Sequence, residues 1–158
     1  MKLSVQFASH IRQVYFGGNW TASSLKEITE ELSLKEATTR IENLNTIAVL
    51  VYHLHYYLRI QLKVLQGAPL KGSDAESFKA TPFNTEREWQ DFMKQIFKEA
   101  EQFADLIENL PENRWQESFT DDKYGSYFRN IQGFLEHTHY HLGQLVILRK
   151  MIANKTDI

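Results

Sequence analysis

The chain of 158 residues contains no cysteine. That excludes disulfides and leaves any metal to histidine, carboxylate or water rather than thiolate. It also rules out a Cys/His nucleophile pair, and no Ser/His/Asp arrangement stands in its place. Proline (three) and glycine (seven) are scarce, so little of the chain is forced into turns. Basic residues hold no surplus, since 18 Lys and Arg against 20 Asp and Glu give a formal net charge of −2. Nucleic-acid and acidic-membrane partners usually call for a basic patch, so neither is expected. No apolar run approaches the roughly 20 residues that span a bilayer. The opening MKLSVQFASHIRQ is amphipathic and lacks the continuous apolar centre of a signal peptide. A soluble, cytoplasmic protein is the expectation, and the length suits one domain over 1–158.

What the chain does have is helical periodicity in four long segments, with no stretch that alternates cleanly with a period of two. The first carries Leu3, Phe7, Ile11, Val14 and Tyr15 and stops at Gly17-Gly18. The second runs from about Asn45, a candidate N-cap, to Gln66. Between them, Leu25-Ile28-Leu32 and the capping box beginning at Ser33 predict one or two short helices. The stretch GAPLKGSDAESFKATPFNT reads as a linker, long for a helix–helix loop and so either functional or a crossover. A second capping box, Thr85 to Glu88, opens an amphipathic helix whose apolar stripe includes Trp89, Phe92, Phe97 and Phe103 and which Pro111 closes. The fourth runs from about Tyr127 to Ala153. Four helices with one apolar face each predict an all-α four-helix bundle. The long connection after the second helix argues against simple up-down-up-down order.

Three of the six histidines fall inside five positions of the last helix, in "FLEHTHYHLGQL". Each helical residue advances by about 100°, so His137 and His141 share a face and His139 points elsewhere. The shared face, Phe134, His137, His141, Gln144, Leu148 and Met151, is a core seam with three polar groups at its centre. Two imidazoles one turn apart can meet a single ion. Burying them without partners costs roughly 1–3 kcal/mol each, which a metal would remove. Spacing alone nevertheless leaves metal binding and surface placement both open. On the second helix the seam Thr46, Leu50, His53, Tyr57, Ile60 and Val64 brings His53 to mid-helix among apolar neighbours, a suitable third ligand. His55, two residues on, is expected to face outward, and His10 and His139 are expected at the surface. Gln144 either hydrogen-bonds an imidazole or a metal-held water, or sits at the edge of the bundle.

With "NTIAVLVYH" in the second helix and "HTHYHLGQL" in the last, the chain resembles the DinB/YfiT-like superfamily. "YFGGNWTASSLKEI" near the start is similar to members of that group as well. The resemblance covers nearly the whole chain, and its specific part is the terminal His-x-x-x-His-x-x-Gln. It implies a bundle in which His53, His137 and His141 hold a divalent transition metal, nickel or zinc, with Gln144 ending the motif. It also implies a homodimer and a small-molecule substrate. Relatives include transferases and isomerases that use low-molecular-weight thiols such as bacillithiol, mycothiol or glutathione, and hydrolases. Leu142 stands where many relatives carry a basic or small residue, which blurs any subfamily. A thiol transferase or a hydrolase is therefore expected. The competing expectation is a non-catalytic dimeric helical protein with a structural or vestigial metal site, and rotation of the second helix would let His55 replace His53.

Overall fold

The computed structural model describes residues 1–156, so the last two positions of the expected 1–158 domain lie outside the described residues. The long helices are α1 (Leu3–Phe16), α4 (Ile47–Leu65), α6 (Glu86–Glu108) and α7 (Tyr127–Thr156); α2 (Leu25–Thr29), α3 (Leu34–Thr38) and α5 (Asp74–Ser77) are short. No strand occurs among the described residues, and the expected four-helix bundle is the architecture.

Local chemistry sets the boundaries. At Gly17 the backbone turns to φ 121°, a conformation that side chains disfavour, and its N–H donates to Gln13 O to end α1. Complete capping boxes open α2 at Ser24 and Glu27, α3 at Ser33 and Glu36, and α6 at Thr85 and Glu88. The N-cap of α4 is Thr46 rather than Asn45, because Thr46 Oγ1 accepts the N–H of Val49. Helix α6 ends at Glu108, ahead of Pro111, and a short 3₁₀ turn (Glu112–Gln116) follows.

The helices pack as a square in which α1 and α4 each touch both α6 and α7. The successive long helices α1 and α4 therefore sit across one diagonal, and α6 and α7 across the other. Simple up-down-up-down order is absent, as expected, but the crossings lie elsewhere than the long linker. That linker joins α4 to its neighbour α6, and the diagonal steps run through α2–α3 and through the segment before α7. Trp89 and Phe103 are fully buried, and Phe92 and Phe97 pack against the core half-exposed. Met151, expected on the core seam of α7, is exposed instead, because Ile152, one turn beyond Leu148, takes the buried place. Trp89 Nε1 donates to Leu32 O at 3.1 Å, fastening the short helices to α6. Arg12 on α1 meets Glu101, Asp105 and Glu108, one turn apart on α6, at 2.6–2.7 Å. No described helix is long and apolar enough to cross a membrane.

Candidate metal centre

Adjacency of α4 and α7 brings the two histidine seams face to face. His53 Nε2 lies 2.9 Å from His137 Nε2, which lies 3.1 Å from His141 Nε2. His53 and His141 are buried and His137 is partly so, and the three offer ligand atoms all within 4.8 Å of one another. Two nitrogens held about 2.0–2.1 Å from a tetrahedral zinc stand roughly 3.3 Å apart, a few tenths of an ångström wider than these spacings.

The outer ring nitrogens decide which way the lone pairs point. His141 Nδ1 is 2.7 Å from Gln144 Oε1, an atom that can only accept. His141 therefore carries its proton on Nδ1 and turns a bare Nε2 to the centre. His53 Nδ1 is 2.8 Å from Ser77 Oγ. The Ser77 hydroxyl already spends its hydrogen on Asp74 O at 2.6 Å, so it accepts from His53. His53 is thus fixed in the same tautomer, again with a bare Nε2 facing inward. A single proton on His137 Nε2 can serve one of these neighbours and leaves the other lone pair over. A divalent cation at the meeting point would take all three. Metal-ligating histidines are usually oriented in this way, by hydrogen bonds from the ring nitrogen that faces away from the ion, and the donor set fits a divalent transition metal. Burial, followed by the nearness of His141, holds His53 and His137 down to about 4, and burial lowers His141 too. All three are therefore neutral at pH 7, the form that binds metal.

A family model described as the DinB superfamily matches residues 19–145. The chain belongs to the DinB superfamily. The matched span takes in the whole His53–His137–His141 group and Gln144. No curated protein and no solved structure matches the chain.

In this DinB chain, Gln144 lies where its motif suggests, bonded to His141, and its own amide Nε2 donates to Tyr140 Oη at 3.1 Å. His55 corrects an expectation. It is 4 % exposed rather than outward-facing, and it sits 2.7 Å from Glu99 on α6, away from the other histidines. Burial outweighs the carboxylate and lowers its pKa, so neutral His55 donates Nε2–H to Glu99. The reason is the square packing: α4 is covered by both α6 and α7, so residues two apart on it are both buried. His139 is half-buried with Nδ1 donating to Leu135 O, its ring 5.3 Å from that of His10, which is exposed as expected.

Two participants were not foreseen, and Tyr57, expected on the His53 seam, joins them. Ser77 and Phe78 come from the linker, where α5 forms, and Phe78 stacks on the His53 ring with centroids 4.0 Å apart. Tyr57 stands edge-on to both His53 and His137 at 5.1 and 5.0 Å and donates to Asp74. The pattern Ser73-Asp74-Ala75-Glu76 was the one available signal, a helix start inside a stretch too short to show periodicity. A cavity of about 430 Å³ extends to His137, and a separate one of about 350 Å³ is lined in part by Gln144 but by none of the three histidines.

Proposed function

We propose that His53, His137 and His141 hold a divalent transition metal, nickel or zinc. On this reading the chain is a metal-dependent enzyme acting on a small molecule, a transferase using a low-molecular-weight thiol, with hydrolysis the second outcome. The observation that carries the proposal is the pair of tautomers fixed by Ser77 and Gln144, which turns two bare Nε2 atoms onto a third imidazole. Three protein ligands and a cavity that extends to His137 support an open site, as catalytic rather than structural metals have.

Bound there, a divalent ion would supply Lewis acidity, favouring the deprotonated form of a thiol or a water at neutral pH. The chain's own residues do the rest. Ser77 and Gln144 orient two imidazoles, Phe78 covers the His53 ring and keeps water from it, and the cavity beside His137 receives the small molecule. The homodimer that the resemblance implies has an apolar surface available, because Tyr140, Ile147 and Met151 lie exposed on α7, and Leu44 shares a cavity lining with Ile147.

Cobalt-loaded protein tests the reading. An open site shows a sulfur-to-metal charge-transfer band when a thiol is added, and loses it in His137→Ala. Loaded protein that is blind to every thiol, and that turns over neither thiol-transfer nor ester substrates, would leave a closed structural metal.

A further inference from the structure

The cavity that extends to His137 has a chemically mixed wall: Tyr57, Gln61 and Asp74 on one side, Arg129 and Gly133 from α7 on the other. Gln61 Oε1 is buried without a hydrogen-bond partner among the described residues, an acceptor left waiting for a donor. Asp74, exposed at the cavity's edge, accepts from Tyr57 Oη at 3.1 Å through Oδ1, which leaves its second oxygen open to solvent or to a ligand. Opposite charge comes from Arg129. Its contact with Glu136 is 3.4 Å long with both side chains more than half exposed, an ion pair of little strength. A methyl at Gly133 would stand 2.8 Å from Arg129 Nη1, so the guanidinium lies over this glycine as it borders the cavity. A mid-helix glycine is otherwise unfavourable; here it makes room for the arginine head.

We propose that this cavity binds the zwitterionic head of an amino-acid-like small molecule, its ammonium taken by Asp74 and Gln61 and its carboxylate by Arg129, with the rest of the molecule directed at His137. One buried unfilled acceptor, one accessible carboxylate and a weakly paired guanidinium in one cavity suit a ligand carrying both charges, and they disfavour a purely anionic or purely cationic one. The inference rests on the proposed open metal position and adds the substrate class.

The test uses cobalt-loaded protein and three thiols that differ by one charged group: L-cysteine, cysteamine and 3-mercaptopropionate. Affinity is read from the charge-transfer band. Each probe is compared with itself on two proteins, so its own tendency to chelate the metal cancels. Arg129→Gln weakens L-cysteine and 3-mercaptopropionate about tenfold, the worth of one charge-assisted hydrogen bond, and leaves cysteamine unchanged. Gly133→Ala has the same selectivity, although it raises helix propensity and so does not lower the melting temperature. Asp74→Asn weakens L-cysteine and cysteamine and spares 3-mercaptopropionate. Variants that weaken all three thiols equally, or none, overturn the inference while leaving the metal site standing. Loaded wild type that gives no band with any thiol refutes the open-site reading, and this inference with it.

Discussion

Ser77→Ala is the sharpest perturbation of the centre that leaves every proposed ligand in place. In the wild type, the Ser77 hydroxyl accepts Nδ1–H of His53 at 2.8 Å, and His53 is 2 % exposed, so no solvent replaces the lost acceptor. A buried donor left unsatisfied costs about 1–3 kcal/mol. The metal-free protein escapes most of that cost by moving the proton to Nε2, 2.9 Å from His137 Nε2, which accepts it once the His137 proton shifts to its own Nδ1. The loaded protein cannot, because Nε2 would hold the ion. The penalty therefore falls on the bound state, and at about 1.4 kcal/mol per decade it corresponds to a roughly 10–100-fold weaker metal affinity. Loss of the Ser77–Asp74 bond affects both states and cancels. Chelator competition with zinc or nickel measures the affinity, and thermal denaturation of metal-free protein supplies the control. Unchanged affinity, or a large drop in metal-free stability that accounts for the loss, would refute the tautomer reasoning.

Other consequences follow from the same packing. His55→Ala leaves Glu99 without its short partner inside α4 and α6, and it costs about 2–3 kcal/mol of stability in denaturant titration. Metal stoichiometry stays that of the wild type, since His55 is apart from the centre. Thr85→Ala removes the side-chain acceptor for Glu88 N–H and destabilises α6 by about 1 kcal/mol, again without touching the metal. Acid acts on the histidines together. His53 and His137 sit at about 4 when folded against 6.5 ordinarily, so between those values the unfolded chain binds more protons. Stability of the metal-free protein is therefore full above about pH 6.5 and falls as pH drops toward 4, with His55 and His141 displaced in the same direction. A melting temperature flat across that window would contradict the buried, neutral assignment.

The long helices were legible because their signals are local. Thr85 and Gly17 act on groups three or four residues away, and the apolar stripe of α6 is read from its own spacing. His53, His137 and His141 were legible for a related reason, since periodicity fixes which face each occupies and the bundle need only set α4 against α7. His55 was misread because a one-face picture fails for a helix packed on two sides. Its partner Glu99 lies 44 residues away, on a helix whose position no local pattern gives. Ser77, 24 residues from His53, was hidden likewise. It sits at the end of a four-residue helix inside a stretch whose composition spells linker. Its role appears only once the chain has folded back over the centre. Gln61 and Arg129 came from no motif; the unpaired acceptor and the crowded glycine mark them only in three dimensions.

The proposed metal site draws three imidazoles from two helices. Metal content of the purified, untagged protein, measured beside His53→Ala, His137→Ala and His141→Ala, decides whether they act as one. Near-stoichiometric nickel or zinc is expected in the wild type and is lost in each variant, with His139→Ala unaffected. Wild type that stays empty after incubation with either ion, or variants that keep their metal, would contradict the proposal.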